Sequence, residues 1–222
     1  MDLNKYKAII DELVLAKNSE KDPQEKIKLE NFENTLKEGF RTIEIQSRLQ
    51  DLYYAGRFIE YMCLLSQYIE FEIKRIIVSS QQLSTLLGKK FINIKDLEEK
   101  TLGVLINFFN KYCIDDNNLT IKLREFNKLR RKVIHKLFDI KFEIKEIENE
   151  IDKNFNLIAY LRDIINPLGF YLYIITNKIV AIKEKNGIIP KEAKSVFEKL
   201  RKDIEELYPD LKKKDAEKNI KI

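Results

Sequence analysis

The sequence predicts an all-α fold, an up-and-down helical bundle, and three observations carry that prediction. Only six glycines and four prolines punctuate 222 residues. That is too few for a sandwich or barrel, which turns every ~8–12 residues. Long segments rich in Lys, Glu, Leu and Ile run between these breakers, a composition typical of helices. Within the segments, apolar residues recur three and four positions apart, so that each one wound as a helix shows an apolar face. With 44% hydrophobic and 35% charged residues, the chain has enough apolar material for a real core and is not disordered in composition.

The first helix is expected from about Leu3 to Lys17, with Leu3, Tyr6, Ile9, Ile10, Leu13 and Val14 on one face. Asn18–Ser19 and Lys21–Asp22–Pro23 break it. Asp22 can cap the next helix and Pro23 can take its first position, where a missing N–H costs nothing. That helix carries Ile27, Phe32, Leu36 and Ile43 and runs to about Leu52. Gly56 either punctuates the following boundary or is tolerated inside a helix. Arg57–Ser79 is strongly amphipathic, its stripe running through Phe58, Tyr61, Leu65, Tyr68, Ile69, Ile73 and Ile76. A polar connection is expected from Ser79 to Lys100, then a short helix from about Thr101 to Tyr112.

Asp115–Asp116–Asn117–Asn118 has loop and capping chemistry. It introduces a helix from about Leu119 to Leu137, with Leu123, Phe126, Leu129, Val133 and Ile134 inward. A long helix is expected from Phe142 to Ile165. Asn166–Pro167 reads as the cap and first position of another, which continues to about Lys183 and stops at Asn186–Gly187. Pro190 opens a last helix to about Leu207, and the Lys/Asp/Glu-rich tail from Tyr208 is expected to fray. The chain shows no internal repeat and no sustained heptad.

Several function classes drop out at this point. There is no G-x-G-x-x-G and no P-loop to cradle a nucleotide. One histidine, His135, and two cysteines, Cys63 and Cys113, cannot assemble an HExxH zinc site, a Cys/His finger, a His-rich metal cluster or a disulfide framework. The cysteines are expected to be buried or half-buried free thiols, and a Cys113–His135 dyad has no supporting motif. No metal and no cofactor is expected. The richest apolar stretch, Leu168–Ile182, is interrupted by Thr176, Asn177 and Lys178, whereas a membrane span needs ~20 mostly apolar residues. Met1–Lys5 reads as a charged helical start and not as a signal peptide, so the expected compartment is the cytoplasm.

The net charge of +5 is unevenly spread. Between Lys122 and Lys145 nine Lys and Arg face three acids, a net of +6 that leaves −1 for the rest. The excess surrounds the only histidine. A focused basic patch suits a polyanion such as nucleic acid, or it is an ordinary solvated helix face.

At its centre stands Asn127-Lys128-Leu129-Arg130-Arg131-Lys132-Val133-Ile134-His135-Lys136. Arg130 and His135 form an Arg-x4-His pair late in a helix. In this the chain resembles the HEPN superfamily of all-α domains, marked by Arg-x4–6-His. The Arg57–Ser79 helix resembles the family's long core helix, and Thr101-Leu102-Gly103-Val104-Leu105-Ile106 resembles a turn-to-helix segment of some members. The resemblance covers about residues 40–183 of a single expected domain, with 1–39 an N-terminal helical extension and 184–222 a C-terminal helix and tail. Two departures stand out. Position 131 is Arg where the family more often has Asn, Asp or His. Leu137 replaces the Tyr that marks members silenced by nucleotidyl transfer from an antitoxin.

The resemblance implies a metal-independent endoribonuclease acting on single-stranded RNA as a homodimer, with two Arg/His sets forming one cleft. It implies a toxin or anti-phage defence role, with an antitoxin or defence-system protein as possible partner. Arg130 and His135 would be catalytic, and Arg131, Lys128, Lys132 and Lys136 would hold the RNA backbone. The chemistry fits these residue types. Attack of a ribose 2′-hydroxyl on its own phosphate needs a proton carrier near neutral pH, which imidazole supplies. The charge building on the phosphorane needs a permanent cation with paired donors, which guanidinium supplies. On an ideal helix, however, Arg130 and His135 lie about 140° apart and Arg131 and His135 about 40°. Either a loosened helix end or two facing copies must bring the first pair to one phosphate.

Two other readings compete. One is a non-catalytic bundle that docks a partner protein or nucleic acid, and the other is a passive electrostatic clamp. Glu60, Glu70 and Glu72 could orient His135, but at their spacing they are expected to be exposed or to pair with Lys74 and Arg75. Asp115–Asp116 reads as a cap. Tyr53, Tyr54, Tyr61 and Tyr68 read as core before they read as base-stacking residues.

Overall fold

A computed structural model describes residues 3–92, 94–139, 141–163, 165–189, 202 and 219–222. Among the described residues are eight α-helices and no strand, so the fold is an all-α bundle. These residues fall into two compact units. One holds 3–48, 180–189 and residue 202, and the other holds 49–179 with 219–222.

In the first unit, α1 (Leu3–Ser19) and the body of α2 (Pro23–Tyr54) bury Ile9, Ile10 and Leu13 against Leu29, Phe32 and Leu36. Val14, Phe40, Ile43 and Ile189 pack against this cluster. The break between the helices is as the sequence predicts: Asp22 Oδ1 accepts the Gln24 N–H at 2.8 Å and Pro23 opens α2. Ile27 is a correction. It is exposed, and Leu29 takes the buried position instead. Glu33 is buried but carries two cations, Lys17 and Lys37. The Lys17 hydrogen bond, then that of Lys37, holds its carboxyl below the usual range against the opposing effect of burial.

In the second unit, Gly56 proves to be a helix terminator. Its φ of +69° lets the Arg57 N–H reach the Leu52 carbonyl and its own N–H reach that of Tyr53, the paired bonds of a left-handed C-terminal cap. The central helix α3 (Phe58–Leu86) runs two turns beyond Ser79 and shortens the predicted polar connection. The extension was hidden because its inward face is made of Ser80, Leu83 and Ser84, all buried. Gly88 then ends α3 with the same paired bonds. Inside the connection, Leu97–Glu99 forms a single 3₁₀ turn.

The predicted short helix divides into α4 (Leu102–Phe108) and a widened π-turn, Phe109–Cys113. The helix α5 (Asn117–Leu137) follows and matches its predicted end. The predicted 142–165 helix is two helices, α6 (Ile144–Lys153) and α7 (Phe155–Asp163). They are separated at Asn154, whose side chain donates to the Glu150 carbonyl at 2.8 Å. The last helix of the described residues, α8 (Ile165–Lys185), starts one residue before the predicted cap Asn166 and holds Pro167 in its first turn, where no intrahelical N–H bond is required. The helix predicted from Pro190 to Leu207 lies outside the described residues except for position 202.

Helix α3 packs on α4, α5 and α6, and α5 packs on α4, α6 and α7. Tyr53 stacks on Phe155 with ring centres 5.4 Å apart and meets Tyr61 edge-on at 5.9 Å. The predicted fraying of the tail is corrected at its tip. Ile220 bridges Ile114 antiparallel. The Lys221 N–H donates to the Cys113 carbonyl at 2.9 Å and the Asp115 N–H to the Asn219 carbonyl at 2.6 Å.

Candidate functional site

Helix α5 places every residue of the predicted site. It starts where Asp116 Oδ1 accepts the Leu119 N–H at 2.9 Å. The same carboxylate accepts from the Tyr171 hydroxyl at 2.9 Å, and that hydroxyl accepts from Asn219 at 3.1 Å. Burial, chiefly, raises the Tyr171 pKa well above the phenol range. The inward side of α5 is Leu119, Thr120, Leu123, Phe126, Leu129 and Val133, all buried. Ile134, predicted inward, is exposed instead, at the edge of this face.

Opposite that face, Lys128, Arg131 and His135 are exposed. With Arg124 they form a stripe spaced 4-3-4, within about 60° of arc on an ideal helix. Arg124 also donates to Asn107 at 3.3 Å. The imidazole belongs to this outer stripe, and Arg131 is its neighbour one turn back.

Arg130 lies elsewhere. It is half-buried on the inward side, its Nε sealed from solvent without a hydrogen-bond partner, as is Asn127 Oδ1 one turn earlier. Helix α5 stays α-helical through Leu137, so no loosening of its end swings Arg130 round to His135. Within one chain the structure brings His135 together with Arg131 and Lys128, and it does not bring in Arg130.

Lys132 and Lys136 form a second flank, tied to α6. Glu150 takes Lys132 at 2.7 Å and Lys136 at 3.6 Å. The Lys136 ammonium also sits 4.8 Å from the centre of the Phe142 ring. The Lys132 hydrogen bond is the main cause that holds the Glu150 carboxyl below its usual range. A depressed carboxylate pKa contributes stability above the unfolded-state value and loses it as pH falls through the folded one. Glu150→Gln is therefore expected to lower the melting temperature at pH 7. Thermal melts taken at decreasing pH should show the gap closing as the wild-type carboxylate protonates.

The remaining candidates have structural partners. Glu60 pairs with Arg57, and Glu70 with Lys74 at 3.2 Å. Glu72 is only 1% exposed and pairs with Arg75 at 3.0 Å. Asp115 pairs with Lys221 at 3.3 Å. Tyr61 and Tyr68 are core residues, whereas Tyr54 is exposed. Cys113 is buried and its thiol is pushed up to about 12 by burial, so it supplies no thiolate near neutral pH. Cys63 is exposed, against the prediction of burial.

Sequence reasoning passed over one residue. Phe138 closes α5 with its backbone still in the helical region and its side chain open to solvent. The signal was present, because position 138 continues the Arg124, Lys128, Arg131, His135 spacing by three.

Among the described residues, no three His, Cys, Asp or Glu side chains gather as a metal site, and no helix is long and apolar enough to cross a membrane. Compared with family models, curated proteins and solved structures, the chain matches none.

Proposed function

We propose that this protein is a metal-independent endoribonuclease of HEPN type that cuts single-stranded RNA on the outer face of α5. The observation that carries the reading is the exposure of the only imidazole beside a guanidinium and an ammonium on one helix face. Lys128 and Arg131 bind the backbone. His135 takes the proton of the 2′-hydroxyl as that oxygen bonds to phosphorus. The bond from phosphorus to the 5′ oxygen breaks, and His135 of a second copy, entering protonated, gives that oxygen its proton. The products are a 2′,3′-cyclic phosphate and a 5′-hydroxyl. Arg131 stabilises the phosphorane charge with paired donors. The resemblance to HEPN domains extends the proposal to a cytoplasmic toxin or anti-phage effector, paired with an antitoxin or defence-system protein.

A second reading is a non-catalytic RNA-binding module. Arg130 lies away from His135 within one chain, so the nuclease needs a second copy and the module does not. Incubating the purified protein with single-stranded RNA in EDTA separates the two. Fragments with cyclic phosphate ends are expected for the nuclease. Salt-sensitive binding without fragments would establish the module instead.

A further inference from the structure

We propose that Phe138 is a stacking platform for one nucleobase of a single-stranded RNA whose phosphates run along Lys128, Arg131 and His135. The inference rests on the reading of α5 as an RNA-contacting helix and adds how that helix selects unpaired strands.

Phe138 is 86% exposed, more than any other large hydrophobic residue among those described. Water gains nothing from such a ring, and the side chain stands open to solvent. Its backbone is held, with φ −97°, ψ −3° and its N–H bonded to the Lys136 carbonyl. The ring therefore starts from a fixed point at the end of the cationic stripe, seven residues after Arg131 and three after His135. Ile134, one turn earlier, is exposed as well and extends the apolar strip.

Charge decides the occupant. The strip continues a stripe that carries Lys128 and Arg131, both exposed, so the face around the ring is positively charged. A polyanion is complementary, and among polyanions single-stranded nucleic acid also offers flat apolar faces. Base-on-aromatic stacking beside a positive track is how sequence-tolerant single-strand binding works. In a duplex those faces are already stacked on one another, so the same ring finds no partner.

The chain contains no tryptophan, so Phe138→Trp in the full-length protein introduces a lone indole reporter. Three probes are titrated: a short 2′-O-methyl single strand, which cannot be cut, the same backbone without bases, and the corresponding duplex. Quenching of the indole is expected with the first probe and not with the other two. Phe138→Ala should weaken the first probe by about 5- to 100-fold and leave the abasic strand unchanged, with an unaltered circular dichroism spectrum. The proposal is overturned by binding of the single strand without quenching, by no binding, by equal quenching with duplex, or by equal weakening towards the abasic strand. Failure of the nuclease reading is seen separately, as intact unmodified RNA after incubation with the wild-type protein.

Discussion

His135→Ala is expected to lower cleavage of single-stranded RNA by about 100- to 10,000-fold, the usual contribution of a positioned general acid or base. The side chain is exposed on the outer face of α5, so its loss opens no cavity and leaves thermal stability close to wild type. Arg131→Ala should lower the rate by about 100-fold, the scale of removing one donor from a developing oxyanion. Arg130→Ala separates two geometries. With Arg131 as the phosphate ligand, Arg130→Ala changes stability more than rate, because its guanidinium stem is packed inward. Loss of activity at unchanged stability in Arg130→Ala would instead mean that, across the two facing copies, Arg130 of one reaches the phosphate held at His135 of the other. Single-turnover rates of the three variants on one substrate, read with their melting temperatures, distinguish these outcomes.

Phe126→Ala is expected to destabilise the protein by about 3–5 kcal/mol, the range for deleting a fully buried aromatic ring. Phe126 is 0% exposed and lies on the inward face of α5. The void would open under the helix that carries Lys128, Arg131 and His135, so activity should fall together with stability. Ile121→Ala on the same helix is the control: Ile121 is exposed, and such a change stays within about 0.5 kcal/mol. Urea unfolding of both variants checks the contrast.

Much of this was legible from residue types alone. Asp22, Pro23, Asp116 and Gly187 mark helix ends by local chemistry, and local chemistry survives folding. The inward faces of α1 from Ile9 to Val14 and of α5 follow from apolar spacing, Ile134 excepted; the side chains of Leu3 and Tyr6 lie outside the described ones. The continuation of α3 through Ser80 and Ser84 was not legible, because small polar residues read as a linker until a neighbouring helix buries them. The break at Asn154 depends on one side chain turning back on its own helix, which periodicity does not register. The bridge from Ile114 to Ile220 joins residues far apart in sequence, and no local pattern encodes it. In the site, the wheel already separated Arg130 from His135. What it left open was whether the helix end loosens, and the regular backbone to Leu137 answers that. Phe138 drew no reading because it falls one residue past the expected helix end at Leu137.

The hold on both ends of α5 has a thermodynamic consequence. Helices ordinarily unravel at their termini, but here Asp116 is held at one end by the Tyr171 hydroxyl, to which Asn219 donates in turn, and Lys132 and Lys136 are moored to Glu150 near the other. The backbone beneath the cations is thus already ordered before any ligand arrives. On the proposed reading, association with RNA would sacrifice little configurational entropy in the host, and most of the ordering would fall on the strand.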